Sequence, residues 1–545
     1  MRPKFLTLLC LWTLSASAPA AEIDPAAAPK CAAVVKNSEL SLDLIRETVE
    51  LGPAGDRSHA GSLCELVDVF LIGVDTQSPV RIDFLTAHEP TRSRMVVPVP
   101  QADFKDFLFN NLVPSGIPVL KIGGDGKKFR LGGGKGDAFD GYMSYDSAAG
   151  EAVIVEAEED LAADVLPPIT LEKGTDAAIR FESTPDGLAA RRTRYVESKQ
   201  KTLDDLRPRK GETKAEFALR KLLTGNRLDD YAQFYAEAAE AAASVSFDFE
   251  QSTAASKVFL KPHPGTPLAD AMAAVEDRGS LFGGVASVGT TVCFGRLDWL
   301  ISEDRKPRWD ATLAAYRPVL IESLLENTAD EAGTTAAVDA AVAHFEKVID
   351  YGHLDGVADW SASPSGETLA VAFRTVDAGS LAAAVRALGS TTMADIVSEQ
   401  SADGTSTFEL VLDQARFDGF AESFGSREMT LRIGPEFSVL TAGVDRASRL
   451  EDVVSQVSDV DPDPDALVRF RGQLGRLLPA VRALQTEIVS SGSRALFDAA
   501  IAAGDDTVEF DLDCDGTEVI GGMTVNSALL DFAGRLLVRF SKENL

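Results

Sequence analysis

Histidine and cysteine are scarce in this chain, with five of each among 545 residues. The histidines, His59, His88, His263, His344 and His353, are scattered, so none shows the short spacing by which two imidazoles meet at one metal or catalytic centre. His88-Glu89 runs into Pro90 and lacks a second histidine four residues on. His344 and His353 have Glu346 and Asp350 nearby, but nine residues of helix do not bring the two rings together. No serine occupies a nucleophile-elbow pattern. Beyond the first twenty residues there is no apolar run of about twenty residues, the length that spans a bilayer. Basic charge is also short: 53 Lys and Arg stand against 84 Asp and Glu, a net of −31. A surface of that sign repels nucleic acid and anionic membrane, so neither is expected as a partner.

What is present begins with an export pattern. Arg2 and Lys4 precede the apolar run Phe5–Leu14, and Ala18-Pro19-Ala20 supplies a small-residue cleavage site. Cleavage leaves four cysteines, Cys31, Cys64, Cys293 and Cys514, and shifts the net charge to −33 by removing Arg2 and Lys4. In an oxidising compartment Cys31 and Cys64 form the candidate disulfide, since they flank one helical segment. The remainder is 45% hydrophobic and 25% charged, enough apolar residue for several cores.

One pattern recurs four times: an alternating strand, a polar turn, a second alternating strand, then an amphipathic helix. The copies run Pro79–Leu112, Ser244–Glu276, Gly356–Leu388 and Asp506–Leu536. In the first, Val80, Ile82 and Phe84 alternate with Arg81 and Asp83, the period of a half-buried strand. The first two copies start 165 residues apart and the last two 150. Leu66–Val74 reads as a buried strand, and glycine-punctuated hairpins fill Lys121–Ala157. The expectation is an α+β fold of two related tandem domains, each a mainly antiparallel sheet with helices on one face, joined by helical segments. Residues 1–20 are the signal, 21–37 a disordered leader, 38–300 the first domain, 301–350 a helical connector and 351–545 the second domain.

Three strings invite chemistry. Asp511, Asp513 and Asp515, with Gly516, match the first half of a calcium loop, whose alternating carboxylates supply hard oxygen ligands. The twelfth position, however, is Gly522 rather than a bidentate Glu, and a hairpin turn at Asp515-Gly516 explains the string better. Asp461-Pro-Asp463-Pro-Asp465 reads as a rigid solvated linker. The Gly123–Gly136 stretch lacks the hydroxyl that follows lysine in a phosphate loop, and hairpin turns account for it. Arg191–Lys221 carries eleven basic residues against five acidic. Arg191, Arg192, Arg194, Lys199, Lys201, Arg207, Arg209 and Lys210 there constitute either a docking strip for an anionic partner or a connector paired with acids of the same chain.

The segment Val97–Leu108 (VPVPQADFKDFL), the glycine-rich hairpins after it and the helix before Ser244 resemble uncharacterised secreted proteins of planctomycete-type bacteria. That resemblance implies export and a duplicated sheet-plus-helix fold but no activity. The leading functional expectation is a periplasmic or extracellular non-catalytic protein, without cofactor, that binds a ligand or envelope protein through its sheet faces. A hydrolase of envelope polymers using paired carboxylates, and a structural envelope protein, are the alternatives.

Overall fold

Alternation dominates local structure. In β12 (His353–Ser363) every second residue from His353 to Ser361 is buried. Helices start where the chain supplies caps: Thr213 and Glu216 form a capping box before Lys214–Glu237, and Asp330 and Asp377 cap Glu331–Tyr351 and Ala378–Gly389. Gly352, at φ 81°, ends Glu331–Tyr351 in the left-handed conformation and turns the chain directly into β12. The computed structural model describes residue 24 and residues 28–544, except 52–56, 89–90, 115, 123–125, 134–138, 276–278, 288–289, 326–329, 414–423, 459–465 and 481–492. The expected export signal and the Asp461–Asp465 linker lie outside the described residues.

The first series of elements is β1 (Lys30–Val35), α1 (Glu39–Glu50), α2 (Arg57–Leu71), β2 (Val80–Leu85), β3 (Arg92–Pro98) and α3 (Phe104–Asp106, continued by a π-turn at Phe107–Leu112). Then come β4 (Val119–Ile122), β5 (Lys128–Gly132), β6 (Asp140–Asp146), β7 (Glu151–Val155), a 3-10 turn (Glu158–Ala162) and β8 (Ala177–Glu182). The helical pair α4 (Leu188–Asp205) and α5 (Lys214–Glu237), the hairpin β9 (Ala238–Asp248) and β10 (Thr253–Pro262), and the short α6 (Pro267–Ala273) close it.

The second series is β11 (Thr290–Leu300), α7 (Lys306–Leu325), α8 (Glu331–Tyr351), β12, β13 (Gly366–Arg374) and α9 (Ala378–Gly389). It continues with β14 (Ala394–Ala402), β15 (Thr405–Leu412), β16 (Glu428–Ile433), β17 (Phe437–Gly443), α10 (Arg446–Ser458) and β18 (Ala466–Gln473). It ends with α11 (Leu474–Ala480), α12 (Arg494–Ile501), β19 (Thr507–Cys514), β20 (Val519–Val525) and α13 (Ser527–Asn544).

All strands join one antiparallel sheet. From one edge the order is β4-β5-β6-β7-β3-β2-β1-β8-β9-β10, then β20-β19-β18-β11-β12-β13-β17-β16-β15-β14. Raising every strand number of the first series by ten reproduces the order of the second. The two series meet where β10 pairs with β20, over seven residue pairs from Ala254↔Val525 to Leu260↔Val519.

The α+β expectation holds, and each of the four strand-turn-strand-helix blocks is present as β2-β3-α3, β9-β10-α6, β12-β13-α9 and β19-β20-α13. Several details differ. Lys30–Val35, assigned to a disordered leader, is a strand held between β2 and β8. Its short CAAVV core is apolar enough to pair despite the Ala/Pro residues before it. Leu66–Leu71 belongs to helix α2, and its bulky residues serve a helix packed among α1 and α13. The 301–350 connector is α7 and α8, and β11 pairs with β12 and β18 of the second series.

Helices also do not keep to one face. Val439 of β17 packs with Leu450 and Val453 of α10, while its neighbour Leu440 faces Ala382 and Val385 of α9. Successive strand residues point to opposite faces, so β17 is sandwiched.

Buried carboxylates tie the strands to one another and to α10. Asp83 bridges Arg81 and Arg94, and Asp355 holds Arg374 at 2.9 Å. Asp359 holds Arg449 at 2.9 Å, and Asp298 meets His353 at 2.5 Å. The C-terminal helix α13 crosses back onto the first series, where Val538 joins Leu42, Ile45, Val49, Cys64 and Val67 of α1 and α2. Gly534 makes that crossing possible, because a Cβ there would overlap the Thr48 carbonyl.

Candidate binding groove

The centre of the sheet is only half-buried. β9 has one fully buried residue, Ala238, and β20 has one, Gly521. Cross-strand partners share a face, so the register defines a single apolar floor. Ala243, Val258, Gly521 and Leu512 form one row across β9, β10, β20 and β19. Val245, Ser256, Met523, Phe510 and Phe470 form the next. Val258, in the middle of a sheet, is 41% exposed.

Helix α5 stands over this face, its Tyr235 ring 6.0 Å from Phe181, which pairs with Ala241 on the same side of the sheet. With about 100° between successive helical residues, the partners of α5 fix its other sides. Gly225 faces Leu203 of α4, and Asp229 binds Lys199. Asn226 binds Thr312 of α7, and Gln233 binds Arg305 just before it. Leu223, Tyr231 and Phe234 occupy the sector between the sheet-facing and α7-facing sides, yet Tyr231 is 55% exposed and Phe234 43%.

Helix α7 closes the other side. It packs on α5 and α8 rather than on the sheet. Arg308 and Thr312 reach α5, while Lys306 and Arg317 reach Asp350 and Asp339 of α8. Trp309, Tyr316 and Leu320, spaced i, i+7, i+11, form a stripe midway between those two sets of contacts. They are 40, 39 and 43% exposed, and this 20-residue helix buries none of its residues. On α8, Phe345 shares the stripe of buried Val338 and Ile349 but is itself 54% exposed. The helices α5, α7 and α8, packed in that order, thus each carry large apolar side chains open to solvent.

The residues singled out in the sequence lie elsewhere. Asp511 and Asp513 sit on the polar face of β19, and Asp515 accepts from Thr517 and Glu518 in the β19–β20 turn. That is the hairpin reading, and no group of three metal-ligating side chains occurs among the described residues.

The basic strip is partly engaged within the chain, although Arg192, Lys201, Arg207, Arg209 and Lys210 are exposed. Arg191 is buried, donating to the Thr184 and Ala236 carbonyls, and burial lowers its pKa. Arg192 meets Glu237, Arg194 the Thr86 carbonyl, Lys199 Asp229, and Arg207 the Asp204 carbonyl. The backbone N–H of Arg209 donates to Glu212, whose carboxyl is drawn down to about 2 chiefly by its bond with Arg220. Lys201 and Lys210 remain exposed at the end of α4 and in the turn after it.

Cys31 and Cys64 are free thiols rather than a disulfide. Cys31 lies in β1 within reach of Tyr235, whereas Cys64 belongs to the α1–α2–α13 cluster, so they serve different cores. Burial pushes Cys31 up to about 12 and Cys293 to about 11.

His263 contacts Ser183 at 2.9 Å and Arg191 at 3.4 Å, and burial, then Arg191, lowers its pKa. Ser183 Oγ donates to the Ala238 carbonyl, so this cluster anchors the ends of β8 and β10. A shallow open depression of about 430 Å³ at the β9–β10 turn is lined by Phe247, Asp248, Phe249 and Thr253, with Asp248 already accepting from Gln251. Among the described residues, no helix is long and apolar enough to cross a membrane.

Comparison with known protein families, with curated proteins and with solved structures finds no match to this chain. Sequence reasoning missed these exposed residues because an apolar helical stripe reads the same whether covered or open. Nor does α7 signal them by amphipathicity, since Ala311, Ala314, Pro318 and Leu325 lie opposite Trp309, Tyr316 and Leu320.

Proposed function

We propose that this is an exported, non-catalytic binding protein built from two tandem related α+β domains, and that it holds an apolar ligand or partner on the exposed apolar side chains of α5, α7 and α8. The repeated strand order supports the duplication, and the first twenty residues support export. The observation that carries the binding role is α7, whose Trp309, Tyr316 and Leu320 are all about 40% exposed on a side between its α5-facing and α8-facing contacts. Fully burying one such side chain is worth about 1.5–3 kcal/mol, so leaving a row of them half open costs stability that a bound apolar group restores. Exposed apolar surface gathered in one patch is the usual mark of a binding site.

A carboxylate hydrolase draws less support. Asp83, Asp355 and Asp359 are committed to ion pairs with arginines, and Asp298 to a hydrogen bond with His353. The carboxylates whose pKa departs from the ordinary value, Asp377 and Glu212 among them, are lowered by donors rather than raised toward the range of a general acid.

The test is binding of N-phenyl-1-naphthylamine, a neutral apolar fluorophore, to the purified full chain. Energy transfer from Trp309 and a rise in emission are expected, with Leu320→Glu or Tyr316→Glu removing most of both. Emission that does not rise, or rises equally in both variants, sinks the reading.

A further inference from the structure

We propose that the second series holds a peptide-binding site that is filled by the chain's own residues 279–287, and that a peptide of matching pattern from a partner protein displaces them. The site is separate from the exposed residues of α7 and stands or falls apart from them.

The segment, GSLFGGVAS, lies between α6 and β11, outside all twenty strands, and side chains hold it as they would hold a ligand. Three of its carbonyls accept from arginines: Gly279 from Arg374 at 3.5 Å, Gly283 from Arg296 at 3.2 Å and Ala286 from Arg449 at 2.8 Å. Asp355 accepts from Ser280 Oγ and from the Leu281 N–H, and Asp359 from Ser287 Oγ. Gln456 of α10 accepts from the Ala286 N–H. Arg374 and Arg449 are each paired with an aspartate, Asp355 and Asp359, which sets their donors in place and neutralises them.

Phe282 is the anchor. It is fully buried in the cluster of Val357, Ala370, Ala372, Val439, Leu450 and Val453, where the two alanines leave the room that a ring fills. Val285 enters the same cluster, with its N–H bonded to the Phe282 carbonyl across the turn at Gly283-Gly284. The ligand class is therefore a short neutral peptide with an aromatic residue, a small-residue turn and a β-branched residue three positions on.

The resident segment does not use the whole site. Arg449 is 2% exposed, yet its Nε and Nη1 have no hydrogen-bond partner among the described residues. Buried donors left unmet destabilise the seated state, so a peptide that brings a further acceptor replaces the segment more readily. Until then the segment is a tethered competitor, and a partner's apparent affinity falls with the fraction of molecules whose site is open.

The probe is a fluorescein-labelled peptide of residues 279–287. It is titrated by anisotropy against the full chain and against a variant that unseats the segment, Leu281→Ser with Phe282→Ser and Val285→Ser. Saturable binding to the variant is expected, at least about tenfold tighter than to the unaltered chain. A probe carrying Phe282→Ser is expected to bind at least about tenfold more weakly, the loss typical of a central anchor. Amide exchange in the unaltered chain is the second arm, and it decides alone if the variant does not fold. Excess peptide is expected to speed exchange at Leu281, Phe282 and Val285 while β12 and β13 stay protected. The proposal is overturned by a folded variant that leaves the probe unbound, by binding indifferent to Phe282, or by exchange in the unaltered chain that excess peptide does not change.

Discussion

Removing one partner of the Asp359–Arg449 pair is expected to destabilise the second series sharply. Both side chains are 2% exposed, and Arg449 donates to Asp359 Oδ2 at 2.9 Å and to the Ala286 carbonyl at 2.8 Å. The other oxygen of Asp359 accepts from Ser287 at 2.6 Å. Asp359→Ala leaves a buried guanidinium facing one carbonyl, a change that costs about 3–5 kcal/mol. Replacing both partners, as Asp359→Leu with Arg449→Met, removes charge and counter-charge together. It is expected to cost far less than the sum of the single changes.

Urea unfolding followed by tryptophan emission isolates the relevant half, because the tryptophans after residue 12 are Trp299, Trp309 and Trp360, all in the second series. A shift below about 1 kcal/mol for Asp359→Ala, or a double variant as unstable as the singles combined, refutes the account of this pair as a desolvated strand-to-helix tie.

Gly534→Val is expected to lift α13 from α1, raising amide exchange in Glu39–Glu50 and lowering stability by about 1–3 kcal/mol, the range for overpacking. Unchanged exchange there would mean that the helices cross elsewhere. Acid is expected to weaken the fold in two stages. His263 and His344 have pKa values lowered chiefly by burial, so the unfolded chain binds the extra protons, and stability is full above about 6.5 and falls as pH drops below it. Carboxylates held low by their donors, such as Asp377 and Asp505, extend the loss below about 4. Melting temperatures that stay flat from pH 7 to 5 would contradict this. Cys31 and Cys293, pushed up to about 12 and about 11, are expected to react with a disulfide reagent at pH 8 only on unfolding, and non-reducing mass analysis is expected to show no Cys31–Cys64 link.

The hairpin-plus-helix blocks were legible because each combines a two-residue period with a later helical one, and few other structures share that switch. β12 is a strong case, with its alternating Asp355, Val357 and Asp359. What failed did so for local reasons. The end of α2, LVDVFL, is dense in apolar and β-branched residues and reads as a strand, although the tertiary core makes it helical. The alanines at Ala238–Ala243 favour a helix by propensity, so the stripe through Tyr231 and Tyr235 ran on into what is strand β9. Arg191 looked like surface charge because nothing local shows that carbonyls of Thr184 and Ala236 converge on it. The candidate site needs long-range information: only the packing of α5 and α7 decides that Tyr231 and Trp309 stay uncovered.

The seam of β10 and β20 limits how this molecule adapts. Seven consecutive backbone pairings weld its two lobes into one continuous ribbon, so they have no pivot about which to swing shut like jaws. Under the proposed binding role, accommodation of a guest would fall to rotamers of Tyr231, Phe234 and Trp309, and occupancy is expected to leave the distance between the ribbon's far ends unaltered.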